Sequence, residues 1–235
     1  MLPADGRVIM ISGANRGIGF ATAKALASAG YRLSLGARDP SKIDSDAIGG
    51  DTMTHAWEAS DGATSSAWVD ATLSHFAAID GVILNAGIIR GVGLESASED
   101  DMDAMLDVNF KGPWRLVRAA MPSLRKSGNG RVVNVVSLAG KRLLREQNFG
   151  YTASKFAALS LTHAIRLAGW DDGVRATAIC PGMVDTDMVA DIAVPAGEFK
   201  IAPSAIAATA AYALALPNDA AVAEVLVNSR LEPSF

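Results

Sequence analysis

Val8-Ile9-Met10-Ile11-Ser12-Gly13-Ala14-Asn15-Arg16-Gly17-Ile18-Gly19 is the stretch that decides the fold. A short apolar strand runs into a glycine-rich turn, and a helical pattern from Phe20 to Ala29 follows at once. That succession is the first half of a dinucleotide-binding βα unit. Gly13 permits the tight turn, Gly17 lets the backbone approach a pyrophosphate, and Gly19 lets the helix pack closely on the strand. The helix N-terminus then presents unpaired N–H groups to an anion. Gly13, Asn15, Arg16, Gly17, Ile18 and Gly19 are therefore candidate cofactor contacts. Taken alone, the glycines also suit a turn with no ligand.

Outward from this turn, short β-branched runs alternate with helical patterns, which argues for a parallel sheet covered by helices on both faces. The expected strands are Val8 to Ile11, Arg32 to Leu35, Met53 to Trp57, Val82 to Leu84, Val132 to Val136, Arg175 to Ile179 and Val225 to Val227. An α/β Rossmann-type doubly wound sheet of about seven strands, with ligands at the carboxyl ends, is the expected architecture. Helices are expected over Ala63 to Phe76, Glu99 to Val108, Pro113 to Leu124, Tyr151 to Leu167 and Ser204 to Leu216. Asp39 before Pro40, and Ser98 before Glu99-Asp100-Asp101, read as N-caps. Two stretches, Leu138 to Gly150 and Val184 to Ala202, break the rhythm. Long loops at the ligand side of a sheet are commonly functional, so the second is a candidate substrate flap.

The 235 residues, half of them hydrophobic, suit one domain over 1–235 with a large buried sheet. A net charge of −4 and the lack of a basic run argue against nucleic acid as a partner. The single cysteine, Cys180, ends an apolar run and reads as a packing residue in a reducing, cytoplasmic setting. No charged region followed by an apolar core opens the chain, so no secretory signal is expected. The uncharged stretch Ile201 to Asn218 is interrupted by Pro203 and Pro217, leaving it shorter than the ~20 residues that span a bilayer. No membrane association and no metal site are expected.

Past mid-chain stands Tyr151-Thr152-Ala153-Ser154-Lys155. Residues i and i+4 share a helix face, so the Lys155 ammonium can stand near the Tyr151 hydroxyl and favour its ionised form. Bringing a phenol from near 10 to about 7 requires roughly 4 kcal/mol, about what one cation at ~4 Å supplies at an effective dielectric near 20. Tyr151 could then serve as acid or base at neutral pH.

The glycine turn and Tyr-x-x-x-Lys together resemble the compact, single-domain type of short-chain dehydrogenase/reductase. Further segments match in order: Asp80-Gly81-Val82-Ile83-Leu84-Asn85-Ala86-Gly87, Asn109-Phe110-Lys111-Gly112, Asn134-Val135-Val136-Ser137-Leu138-Ala139-Gly140 and Pro181-Gly182-Met183-Val184-Asp185-Thr186. The resemblance runs from Val8 to Val227 and implies a catalytic tetrad of Asn109, Ser137, Tyr151 and Lys155. Ser137 ends the fifth strand, where it can hydrogen-bond a substrate oxygen. Asn109 precedes Gly112-Pro113, a pair expected to break the helix. By resemblance, Asn109 holds a water that relays protons to the lysine. The lysine also binds the nicotinamide ribose, and the tyrosine exchanges the proton as hydride moves. Ala59, Asn85, Ala86, Gly87, Pro181, Gly182, Val184 and Thr186 are implied cofactor contacts, with Tyr151 and Lys155. Ser12, Glu58 and Leu84 depart from the family's usual threonine, aspartate and asparagine without touching the tetrad. A homodimer or homotetramer pairing the fourth-strand and tyrosine-side helices Pro113 to Leu124 and Tyr151 to Leu167 is implied too.

The second strand runs out through Gly36-Ala37-Arg38-Asp39. Ala37 stands where an NAD enzyme carries an acidic residue for the ribose 2′-hydroxyl, and Arg38 and Arg16 can instead grip a 2′-phosphate. This favours NADP(H) over NAD(H), with Asp39 better used as a cap. The expected activity is NADP(H)-dependent interconversion of an alcohol and a ketone or aldehyde. A catalytically silent NADP-binding regulator on the same scaffold is the alternative. A nucleotide-sugar epimerase is disfavoured by chain length and by the three residues between Gly13 and Gly17. Arg90, Lys141, Arg142 and Arg145 read either as a solvated loop face or as attraction for an anionic substrate such as a 3-hydroxy or 3-oxo acid. The closing Leu226 to Pro233 resembles, over a short stretch, family members acting on hydroxy acids and small carbonyls.

Overall fold

The computed structural model describes residues 1–95, 98–143, 145–193 and 199–231. Seven strands form one sheet: β1 (Val8–Ser12), β2 (Arg32–Ala37), β3 (Thr52–Ala56), β4 (Gly81–Leu84), β5 (Arg131–Val135), β6 (Arg175–Pro181) and β7 (Glu224–Val227). Every expected strand is present, with ends moved by at most two residues. The order is β3-β2-β1-β4-β5-β6-β7, parallel throughout. The helices are α1 (Gly17–Ser28), α2 (Ser45–Ile48), α3 (Gly62–Phe76), α4 (Glu99–Leu106), α5 (Gly112–Lys126), α6 (Phe149–Gly169) and α7 (Pro203–Ala215).

The pleat sorts the core into two layers. Ile9, Ile11, Leu33, Leu35, Ile83 and Val133 pack with Leu26 of α1 and Ile206 and Leu214 of α7. Met10, Val82, Leu84 and Val132, one register position away, pack with Trp68 of α3, Leu116 of α5 and Ile165 of α6. Side chains alternate in direction along a strand, so a strand covered on both faces reads as a near-continuous apolar run, as β1 does from Val8 to Ile11 before its buried Ser12. The caps read from sequence are in place: Asp39 accepts from the Ser41 N–H at 3.1 Å, and Ser98 from the Asp101 N–H at 3.4 Å.

Gly112-Pro113 does not break the helix as expected. A π-helical turn over Asp107–Lys111 carries α4 directly into α5, and Pro113 lies in the first turn of α5, where a missing N–H costs nothing. The irregular stretches hold short 3₁₀ turns at Leu138–Gly140, Glu146–Asn148 and Asp187–Val189. The expected flap has a pinned base: Val184 bridges Ile201, and the Ile201 N–H donates to the Met183 carbonyl at 2.8 Å. Its segment 194–198 lies outside the described residues, as do Leu144 and the last residues of the C-terminal stretch, Glu232 and Pro233. Among the described residues no helix is long and apolar enough to cross a membrane.

At the amino ends of the strands sits a buried cation. The Arg131 guanidinium donates five hydrogen bonds, to the carbonyls of Gly130, Gly173 and Leu216 (twice) and to Asn218 Oδ1, at 2.7–3.2 Å. These bonds tie β5 to the segments after α6 and α7.

Candidate active site

The chain order reverses between β1 and β4, and a crevice must open where the connections from neighbouring strands diverge to opposite faces. A cleft of about 1170 Å³ lies there, reaching from Arg38 past the glycine turn to Tyr151. Gly17 has φ +54°, and a Cβ there would come within 3.1 Å of Thr186 Cγ2. A Cβ on Gly19 would collide with the Gly13 carbonyl oxygen at 2.1 Å, so the helix sits on the turn at a distance only glycine allows. Arg16, the residue before α1, provides no side-chain cap, and the first turn holds no acidic residue. Its N–H donors are thus left to an anion. Ser12 ties the wall together: its hydroxyl donates to the Ile83 carbonyl and accepts from the Asn85 and Ala86 N–H groups. Asn85 in turn donates from its amide to the Ser12 and Gly13 carbonyls. A cleft of this reach, with free helix donors at its glycine turn, fits a dinucleotide.

At the outer end, Ala37 is buried, Arg38 is exposed on the cleft wall, and Asp39 is used up on the Ser41 N–H and hydroxyl. Lys42 also lines this end, 3.7 Å from Asp39, a cation the strand alignment did not single out. Trp57, Glu58 and Ala59 form the facing wall. Arg16 is paired with Asp187 at 3.0 Å across the mouth, which joins the glycine turn to the segment after β6.

At the inner end, Ser137, Tyr151 and Lys155 all line the cleft. Ser137 sits just past β5 and hydrogen-bonds the Tyr151 side chain. Tyr151 lies in the first turn of α6, and Lys155 one turn on, its Nζ donating to the Val135 carbonyl at 3.2 Å. The Lys155 ammonium stands 5.7 Å from the Tyr151 ring centroid. The expected lowering of the phenol is not found: burial pushes Tyr151 up to about 12, offset only in part by Ser137. The reason is geometric, since Lys155 points to a strand carbonyl beneath the ring. Burial also brings Lys155 down to about 8. Tyr151 is accordingly a protonated acid at neutral pH, and Lys155 titrates near it.

Asn109 is buried behind this wall and does not line the cleft. Its amide donates to the Ile88 carbonyl and the Ser154 hydroxyl, both at 2.9 Å, and its Oδ1 accepts from the Ile88 N–H at 2.8 Å. Ser154 donates onward to the Tyr151 carbonyl at 2.7 Å. Gly87 lies between the pair: a Cβ there would stand 3.2 Å from Asn109 Oδ1 and 3.6 Å from Lys155 Nζ. The side chain of Asn109 is thus committed to the loop after β4 and to the turn that carries Tyr151. Asn15, Ile18, Ala86, Gly87, Pro181, Gly182, Val184 and Thr186 line the cleft, while Gly19 lies behind it under the turn. Sequence reading gave no role to Ser154 and Met183, although both stand inside the quoted motifs, nor to Asn148 and Asn228, which reach the site from the loop before α6 and the segment after β7. Cys180 is buried and free, its thiol pushed up to about 11 by burial and by Glu224. No cluster of metal-ligating side chains is present among the described residues.

A parallel doubly wound sheet, a glycine cradle at its switch point and a Ser-Tyr-Lys group on the same rim define a nucleotide-dependent oxidoreductase class. The sequence profile of short chain dehydrogenases matches residues 7–195, and the chain belongs to that family. It is 40% identical over 219 residues to an agropine synthesis reductase of Rhizobium rhizogenes, covering 92% of this chain and 50% of the relative. The chain thus spans about half the length of that protein. An alcohol dehydrogenase of the archaeon Thermococcus sibiricus, solved with 5-hydroxy-NADP, superposes with a TM-score of 0.88 at 31% identity, covering 97% of this chain and 99% of that one. A metagenomic short-chain oxidoreductase in complex with NADP superposes at 0.83, with 29% identity and coverage of 98% and 100%.

Proposed function

We propose that the chain is an NADP(H)-dependent oxidoreductase that interconverts an alcohol and a ketone or aldehyde, with Tyr151 as general acid/base. The observation that carries this reading is the convergence of Ser137, Tyr151 and Lys155 on one end of a cleft whose other end is the glycine turn. NADP(H), when bound across the cleft, would supply or accept the hydride at the Tyr151 end. The rest falls to the protein. Gly13 to Gly19 would hold the pyrophosphate at the α1 N-terminus, and Arg38, with Lys42 and Arg16 lining the same cleft, would meet the 2′-phosphate. Ser137 holds the carbonyl oxygen while Tyr151 gives it a proton in the reducing direction and takes it back in the oxidising one. Lys155, with one donor on the Val135 carbonyl, would bind the nicotinamide ribose, and Asn109 positions the Tyr151 turn through Ser154. The NADP complexes of the two structural relatives support the cofactor choice.

The single sheet over the described residues supports one domain spanning 1–235, and free buried Cys180 suits a reducing, cytoplasmic setting. Exposed Trp114 and Phe156 on α5 and α6 support a homo-oligomer paired through those helices. The test is oxidation of NADPH and of NADH by the purified protein across a panel of ketones and aldehydes, beside cofactor binding by titration. Turnover with at least one carbonyl and a higher kcat/KM for NADPH is expected. Tight NADPH binding without turnover on any carbonyl would instead favour the silent regulator.

A further inference from the structure

The two ends of the cleft differ in charge. At the adenosine end, Asp39, Glu58 and Asp187 are interspersed with Arg38, Lys42 and Arg16. At the Tyr151 end, the charged side chains among the described lining residues are Lys155, Arg145 and Arg230, with no carboxylate. Of the four loop cations near the site, only Arg145 lines the cleft. Arg90 pairs with Asp101 at 3.6 Å and Lys141 with Glu224 at 2.7 Å. Arg142 lies outside the lining.

Arg145 heads the 3₁₀ turn Glu146–Asn148 that leads straight into α6 and Tyr151. Its neighbour Glu146 is turned away, accepting from the Leu94 N–H and filling the space beside Gly93. Among the described residues no carboxylate pairs with Arg145, which stands exposed on the cleft wall beside Asn148. Leu138, Met183, Met188 and Phe199 supply apolar lining. An exposed guanidinium at the mouth of a reaction site, with the adjacent carboxylate held elsewhere, offers its planar fork to an anion.

We propose that the substrate is an oxo or hydroxy acid whose carboxylate is bound by Arg145 while its carbonyl or alcohol carbon lies at Tyr151. This rests on the oxidoreductase reading above. In the reducing direction the carbonyl carbon gains the hydride of NADPH and its oxygen gains the Tyr151 proton; the carboxylate keeps its charge and takes no part. A short apolar segment between the two groups meets Leu138 and the methionines.

The experiment compares short-chain 2-, 3-, 4- and 5-oxo acids, each against its methyl ester, with NADPH in wild type, Arg145→Gln and Arg145→Lys. A charge-assisted contact predicts that, at one chain length, the acid exceeds its ester in kcat/KM by about ten- to a hundredfold, chiefly through KM. Arg145→Gln collapses that ratio towards one, and Arg145→Lys keeps part of it. In parallel, butanoate and butanamide are titrated calorimetrically into wild type and Arg145→Gln, where only butanoate binding to wild type is expected to be measurable. Equal turnover of acid and ester at every length, or an acid preference untouched by Arg145→Gln, overturns the proposal. Failure of every acid and ester, while a ketone or aldehyde of the panel above is turned over, also overturns the proposal; failure of every carbonyl overturns the oxidoreductase reading instead. The butanoate titration then decides the anion subsite by itself, with equal binding to both proteins refuting it.

Discussion

Both ends of the sheet bury a cation, and the two are treated in opposite ways. Arg131, at the amino ends, spends its guanidinium on five hydrogen bonds to carbonyls and an amide. Lys155, at the carboxyl ends, has one hydrogen bond among the described residues, to the Val135 carbonyl, and burial lowers it to about 8. A saturated cation fixes chain segments and has nothing left to give. An undersatisfied one is costly to the fold and keeps donors for a ligand. The same sheet thus puts stability at one pole and chemistry at the other.

The largest expected effects lie at the carboxyl pole. Tyr151→Phe should lower turnover by at least ~10²-fold while leaving NADPH binding and thermal melting close to wild type. Near-native turnover would remove Tyr151 from the chemistry. Lys155→Met should do similar damage with a further loss of cofactor affinity by titration. Urea unfolding then compares the poles directly: Arg131→Met should lose about 3 kcal/mol, since it strands buried carbonyls. Lys155→Met should lose little or gain stability. Equal losses at both positions would break the comparison.

Cofactor choice should respond by one to two decades. Losing the charged hydrogen bonds of Arg38 weakens NADPH by about that much. Ala37→Asp with Arg38→Ile adds repulsion to the phosphate and an acceptor for the 2′-hydroxyl, so the ratio of kcat/KM for NADPH and NADH should invert. A ratio unmoved by both changes would show that Asp39 leaves its cap to make the ribose contact.

A smaller effect concerns pH. Lys155 in the folded protein has its pKa below the ordinary 10.5, so the unfolded chain binds more protons between about 8 and 10.5. Its burial cost is fully present below pH 8 and is relieved as pH rises through that window. The unfolding free energy of wild type should therefore climb relative to that of Lys155→Met between pH 8 and 9.5. Tyr151 has the opposite sign above pH 10, where the unfolded phenol ionises and the buried one does not. Parallel pH profiles of the two proteins would mean that Lys155 is not desolvated. The smallest effect is at the mouth, where the Arg16–Asp187 pair is exposed and worth little to stability. Asp187→Asn should leave the melting temperature unchanged yet tighten NADPH by about two- to fivefold, because Arg16 no longer has a competing carboxylate. Weaker NADPH binding would show that the pair holds the mouth in its binding shape.

Much of this was legible locally. A strand buried on both faces reads as a near-continuous apolar run, and a turn that must approach a phosphate is glycine, so Val8 to Gly19 announces itself without any long-range information. Asp39 and Ser98 are legible for the same reason, since a cap acts on N–H groups two or three residues away. The Gly112-Pro113 reading failed because a proline breaks a helix only where its N–H is needed, and the widened π turn places Pro113 where it is not.

The sequence by itself determined the alternation of strands and helices, the glycine turn, the shared helix face of Tyr151 and Lys155 and the basic residue after β2, because each depends on side chains a few positions apart. Tertiary structure alone decided the electrostatics. Spacing put Lys155 on the Tyr151 face of α6, but the Val135 carbonyl, brought there by β5, drew the ammonium beneath the ring, and burial raised the phenol instead of lowering it. Likewise four basic residues looked alike in the chain, and Asp101 and Glu224, from α4 and β7, occupied two of them while Arg145 alone was left on the cleft wall. Charge and solvation are properties of what surrounds a group in space, and those neighbours come from parts of the chain that no local spacing connects.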